Sequence, residues 1–389
     1  MDMITRIMQN EMEKRLKPQK VLLLYGARRV GKTILLKQIV QNFGGKSLVL
    51  NGESLDVIRQ LEERSVQNYR RLFQGVQLLA IDEAQHIPGI GQKLKLIVDE
   101  VPDIRVIATG SSSFDLQNIA GEPLVGRSAL FHLTPFSVEE LKTTMSQWEI
   151  MQQLDSYLIH GHYPELFSME SDKEREEYLN EVVDAYLLRD ILAVDGVKHA
   201  QKMHNLLRLI AYQAGSEVSL DELGSQLSLS RNTVERYLDL LQKVFVLYRI
   251  GGYARNLRKE VTKASKWYFY DTGIRNAVIG NLAQMESRTD VGALWENFCI
   301  AERMKFLAYQ GSFAHSWFWR TQQQKEIDYL EEEDGLLRAV EFKWNDHKAN
   351  SKCPAAFANA YPAASFQVIT PHNIDSFLYS PALSADTPA

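Results

Sequence analysis

Eight consecutive residues, Gly26, Ala27, Arg28, Arg29, Val30, Gly31, Lys32 and Thr33, spell G-x-x-x-x-G-K-[ST] directly after an apolar run at 21–25. Glycines let backbone N–H groups approach phosphate oxygens, and a helix starting at the lysine adds partial positive charge. The chemistry is triphosphate binding, with Lys32 reaching the β- and γ-phosphates and Thr33 ligating Mg²⁺. A second apolar run, 78–81, ends in Asp82 and Glu83. Asp82 is expected near the Mg²⁺ shell and Glu83 where it polarises an attacking water, so binding of ATP leads on to its hydrolysis. A third run, 105–109, leads into Gly110-Ser111-Ser112-Ser113, and the hydroxyl of Ser111 or Ser112 is expected on the γ-phosphate or the water. Arg127, after Gly126 and just before the last apolar run, is read as an arginine that stabilises transition-state charge from a neighbouring subunit.

A second set of residues suggests chemistry on nucleic acid. Asp328 is followed thirteen residues later by Glu341-x-Lys343, the layout of PD-(D/E)xK nucleases. On a hairpin the two carboxylates converge on Mg²⁺, Lys343 shares a strand face with Glu341 and orients water, and Glu296 adds a carboxylate from a preceding helix. The acidic stretch from Glu331 to Asp334 reads as an exposed turn. Between the two candidate sites, Arg231, Asn232 and Arg236 open a helix whose opposite face carries Val234, Tyr237, Leu238 and Leu241. Ser219 and Glu222 form a capping box for the helix before it. Two short helices and a basic hairpin with Arg255, Arg258, Lys259, Lys263 and Lys266 read as a winged helix-turn-helix, whose cations contact DNA phosphates.

These residues need elements to hold them. Short apolar runs at 21–25, 47–50, 78–81, 105–109 and 129–133 alternate with helical patterns such as 34–43 and 93–101, predicting a parallel sheet between helices. Residues 137–192 read as helical, and after about 290 a helix is followed by strands. With 389 residues, several cores are expected. The boundaries fall at 1–135 for the ATPase core, 136–196 for a helical lid, 197–275 for the winged helix and 276–389 for the last domain. The net charge of −5 hides segregation: residues 137–196 carry fourteen acids against four Lys/Arg, and 197–267 twelve Lys/Arg against six acids. Two cysteines without metal-ligand spacing, strand-sized apolar runs and an N-terminus without a leader pattern predict a cytoplasmic chain with no membrane segment.

Taken together, several of these motifs resemble the AAA+ ATPases, within the prokaryotic group whose second half is a conserved domain of unknown function. The resemblance rests on residues 26–33, Asp82-Glu83-Ala84-Gln85, Thr109-Gly110-Ser111-Ser112-Ser113, Gly126-Arg127, Gly161-His162-Tyr163-Pro164-Glu165, Tyr270-Asp271-Thr272-Gly273, Trp319-Arg320-Thr321 and Glu326-Ile327-Asp328. It implies an α/β AAA+ P-loop core with a helical lid, winged helix and restriction-endonuclease-like domain, using ATP and Mg²⁺. It further implies a homo-oligomeric ring, a hexamer being the expected size, in which Arg127 acts in trans. Three functions follow as expectations: an ATPase that remodels DNA, branched or forked DNA included; an ATP-regulated Mg²⁺-dependent nuclease; and a nucleotide switch acting on protein partners.

Overall fold

A computed structural model describes residues 4–111, 122–187, 200–253, 265–321, 323–348 and 352–380. Ser112, Arg255, Arg258, Lys259 and Lys263 lie outside the described residues. The chain forms two compact units. The first holds Met1–Phe136, Tyr163–Glu165 and Lys243–Phe245; the second holds Ser137–His162, Leu166–Gln242 and Val246–Ala389.

The first unit is built on five parallel strands: β1 (Val21–Tyr25), β2 (Ser47–Asn51), β3 (Leu78–Asp82), β4 (Arg105–Gly110) and β5 (Ser128–His132), in the order β2-β3-β4-β1-β5. Val21 to Leu24 and Leu78 to Ile81 are fully buried, the unbroken apolar run expected where helices cover both sheet faces. Helix α1 (Ile7–Arg15) precedes the sheet, and α2 (Lys32–Asn42) leaves the glycine-rich loop burying Leu35, Leu36 and Ile39. Helix α3 (Ile90–Glu100) buries Ile90, Leu94, Ile97 and Val98, a single face at helical spacing. Parallel strands all end on the same side, so the segments after β1, β3 and β4 gather at one edge. Because β4 lies between β1 and β3, its last residues fall between the glycine-rich loop and the Asp82 carboxylate.

The second unit centres on one mixed sheet of seven strands. It contains β6 (Glu217–Val218), β7 (Leu247–Gly252), β8 (Ser265–Phe269), β9 (His315–Arg320), β10 (Glu326–Glu333), β11 (Leu336–Phe342) and β12 (Ser365–Ile369), ordered β12-β11-β10-β9-β7-β8-β6. Parallel pairing of β7 with β9, Gly251 opposite Trp317, fuses the strands around residues 217–269 with those after 315. Before β6 runs α4 (Ala200–Tyr212), and between β6 and β7 run α5 (Leu220–Leu227) and α6 (Arg231–Lys243). Gly224 allows the tight turn between α5 and α6, since a Cβ there would lie 2.7 Å from the Leu229 carbonyl. Ser219 caps α5 by accepting from the Glu222 N–H, but only that half of the expected capping box forms; Glu222 itself accepts from Gln226.

Helix α7 (Thr272–Ile279) and the 20-residue α8 (Val291–Gln310) pack against the sheet. Asp271 caps α7 and also accepts from the His162 N–H at 2.7 Å, which ties together two motifs far apart in sequence. The acidic stretch corrects its sequence reading. The turn is only Asp334-Gly335, both with positive φ, while Glu331 is fully buried and bidentate to Arg303 of α8 at 2.7 Å on each oxygen. A carboxylate enters such a core when a planar guanidinium meets both its oxygens. Among the described residues no helix is long and apolar enough to cross a membrane.

Candidate functional sites

Gly26 has φ +153°, and a Cβ there would sit 2.1 Å from the Leu133 carbonyl oxygen, so only glycine fits where the loop leaves β1. Gly31, with φ +98°, caps α2 in the left-handed region. The loop thus delivers Gly31, Lys32 and Thr33 to a helix N-terminus. Lys32 is buried, its ammonium donating to the carbonyls of Gly26 and Ala27 at 2.8 Å each. Arg28 is half-buried. Arg29 pairs with Glu165 at 3.3 Å, and Val30 is fully buried.

Three hydroxyl and carboxylate groups form a chain across the strand ends. Thr33 Oγ1 donates to Asp82 Oδ2 at 2.7 Å, and Thr109 Oγ1 donates to Asp82 Oδ1 at 2.5 Å. Thr109 also accepts from the Glu83 N–H at 2.9 Å, so one buried hydroxyl fixes the Asp82 rotamer and the start of the Glu83 turn. Glu83 has φ +50°, sparsely populated for a non-glycine residue. Gln85 Nε2 donates to Glu83 Oε2 at 2.5 Å and to Ser111 Oγ at 3.3 Å. Thr109, to which the sequence reading gave no role, bonds Asp82 directly, while Ser111, expected on the γ-phosphate or the water, meets Gln85 beside Glu83. Among the described residues no cation pairs with Asp82 or Glu83.

Arg127 precedes β5, at the opposite end of the parallel strands from the loop. Val21 is paired with Ser128, and five residues of strand at about 3.3 Å each separate the two ends by roughly 16 Å. Its guanidinium donates to Asp99 at 2.7 Å, so within its own chain Arg127 does not serve the phosphate loop. Behind the loop, His132 stacks on Tyr25 at 5.1 Å and lies 4.3 Å from the Phe245 ring. Burial, aided by the Lys32 charge, pushes its pKa down from 6.5 to about 3, leaving the imidazole neutral.

The second unit brings Asp328, Glu341 and Lys343 together. Strand β10 shifts register against β9 between Ile327 and Leu330, the stretch that holds Asp328 and Tyr329. Lys343 Nζ lies 3.2 Å from Glu341 and 3.7 Å from Asp328, and Asp328 also accepts from the Phe342 N–H at 2.9 Å. Despite its burial, which works the other way, these two carboxylates hold the Lys343 pKa above its usual range. Glu296 joins from α8, accepting from the Tyr268 hydroxyl at 2.6 Å, and burial raises its pKa from 4.5 to about 7. Among the described residues no three metal-type ligands are grouped tightly enough to hold an ion.

Lys266 requires a correction. Expected on an exposed basic hairpin, it is 1% exposed and bridges Glu296, at 3.4 Å, and Glu326. Lys266 lies in β8 opposite Ile250 of β7, and its side chain turns toward α8 and β10. Arg231, Asn232 and Arg236 are exposed on α6, yet Arg231 is paired with Asp221 at 2.8 Å. They line a cavity of about 950 Å³ that also presents Glu235, Asp239 and Arg249.

Comparison with known proteins divides the chain in three. Residues 18–142 match the model of an AAA domain; residues 151–285 and 291–378 match two domains of unknown function, DUF8612 and DUF4143. An uncharacterized protein of Mycobacterium tuberculosis is 28% identical over 327 residues, 83% of this chain and 70% of that protein. One from Methanocaldococcus jannaschii is 22% identical over 292 residues, 68% of this chain and 64% of its own length. Among solved structures, the Walker-type ATPase of Pyrococcus abyssi aligns with TM-score 0.48 at 16% identity, over 71% of this chain and 96% of that one. The AAA match spans the glycine-rich loop, the Asp82 strand and Thr109, and supports an AAA-type ATPase domain in the first part of the chain.

Proposed function

We propose that this chain hydrolyses Mg²⁺-ATP in its first unit and couples that hydrolysis to remodelling of bound DNA. The observation that carries the ATPase reading is the Thr33–Asp82–Thr109 chain at the mouth of the loop. Two oxygens of the type that bind Mg²⁺, a hydroxyl and a carboxylate, are already 2.7 Å apart, and among the described residues no lysine or arginine pairs with the acid. Thr33 and Asp82 would hold the ion, which when bound offsets triphosphate charge. Residues 26–33 offer backbone donors to the phosphates, and Lys32 exchanges two carbonyls for phosphate oxygens. Glu83 accepts a proton from the attacking water while Gln85 fixes one of its oxygens, leaving the other for that water. In a ring, Arg127 would be supplied to the next subunit's phosphates.

DNA is the preferred partner because α5 and α6 have helix-turn-helix spacing and α6 exposes Arg231, Asn232 and Arg236. Glu235 and Asp239 on the same face favour backbone contacts over base readout, so geometry such as forks and branches would be selected. The Asp328–Glu341–Lys343 cluster supports a second reading, Mg²⁺-dependent DNA cleavage in the second unit. One experiment separates these from a switch acting on protein partners: ATP turnover with and without single-stranded, duplex, forked and four-way DNA, with gels of the same reactions. Turnover stimulated by DNA that stays intact fits remodelling. Cleavage that survives Lys32→Ala but not Asp328→Ala fits the nuclease, and slow turnover indifferent to every DNA, with all of it left intact, sinks both.

A further inference from the structure

Arg6 lies twenty residues before the glycine-rich loop and outside every motif in the sequence. It is 4% exposed. Burying a guanidinium is costly unless its donors are met, so the groups that meet them show what it does. Nη1 donates to the Thr134 carbonyl at 3.1 Å, Nη2 donates to the Val30 carbonyl, and the guanidinium carbon stands 4.1 Å over the Phe136 ring. A Cβ on Gly31 would be 3.5 Å from the same Nη2.

The Val30 contact has a geometric consequence. In a trans peptide the C=O of one residue and the N–H of the next point in opposite directions across one rigid plane. Holding the Val30 oxygen toward Arg6 therefore aims the Gly31 N–H to the other side, into the loop, where phosphate donors are required. With that plane turned over, a carbonyl dipole would face the phosphates in place of a donor. The same guanidinium places a fixed positive charge against the loop backbone, which also favours an anion.

We infer that Arg6 is a positioning residue for the nucleotide phosphates, setting the Val30–Gly31 peptide plane from outside the loop. The inference rests on the ATP-binding reading. Both ATP and ADP meet the loop, so the effect belongs to binding of either nucleotide and not to the chemical step. A mere peg for the N-terminal segment would change melting temperature while leaving affinity alone.

The test measures affinity of the full chain for Mg²⁺-ATP and Mg²⁺-ADP by calorimetry, beside kcat at saturating ATP and melting temperature. Arg6→Met is expected to weaken both nucleotides about tenfold, the loss of one charge-assisted hydrogen bond, with kcat within about threefold. Arg6→Lys, which keeps the charge but not the fork, should weaken them by about threefold. Affinity within about twofold of wild type for folded Arg6→Met overturns the inference; if that variant does not fold, unchanged affinity in Arg6→Lys does so. Wild type that binds neither nucleotide sinks the ATPase reading itself, and the role of Arg6 with it.

Discussion

The two units treat their carboxylates in opposite ways. At the glycine-rich loop, Asp82 and Glu83 are held by neutral groups, the hydroxyls of Thr33 and Thr109 and the amide of Gln85, while Lys32 is turned onto backbone carbonyls. In the second unit each acid pair has a lysine of its own: Lys266 for Glu296 and Glu326, Lys343 for Asp328 and Glu341. A site whose acids are held by neutral partners is prepared to take a cation together with an anionic substrate. One whose acids are already compensated is stable as it stands, and an arriving ion must compete with resident ammonium groups. The difference teaches that matching residue types are a weaker guide to chemistry than what neutralises them.

That contrast can be broken by substitution. Glu83→Gln keeps the shape and removes the base; kcat should fall by about 10²–10⁴-fold with ATP affinity retained, seen in steady-state turnover beside calorimetry. An unchanged kcat would place the base elsewhere. Lys266→Met strips the resident cation from two enclosed carboxylates, and a stability loss of about 3–5 kcal/mol is expected in denaturant unfolding. Adding Glu296→Gln to it should recover part of that loss, and no recovery would argue that Lys266 acts through packing alone. A pH-dependent effect concerns His132. Its pKa is about 3 when folded against 6.5 when free, so the unfolded chain takes up the proton first. The contribution is fully present above pH 6.5 and is lost as pH falls towards 3. His132→Phe should flatten that acid limb in unfolding curves, and an identical slope would remove the histidine from the account.

The sequence carried the loop, the acid at the end of β3 and the core helices within a few residues, because these signals are local: period, composition and motif spacing. Non-local pairing leaves no such mark. The insertion of β4 between β1 and β3 brought Thr109, given no role from sequence, against Asp82. Strand β10 and α8 brought Glu326 and Glu296 to Lys266, and α8 brought Arg303 to Glu331, making an apparent exposed turn part of the core. Asp328, Glu341 and Lys343 were legible as a set because hairpin strands keep a two-residue period. Arg6 was invisible, since nothing near it in sequence says which carbonyl it will meet.

The most direct test is phosphate release from Mg²⁺-ATP by the full-length chain, wild type beside Lys32→Ala. The predicted result is turnover by the wild type that Lys32→Ala abolishes. Absence of turnover in the wild type with and without DNA, or equal rates in the two proteins, would contradict it.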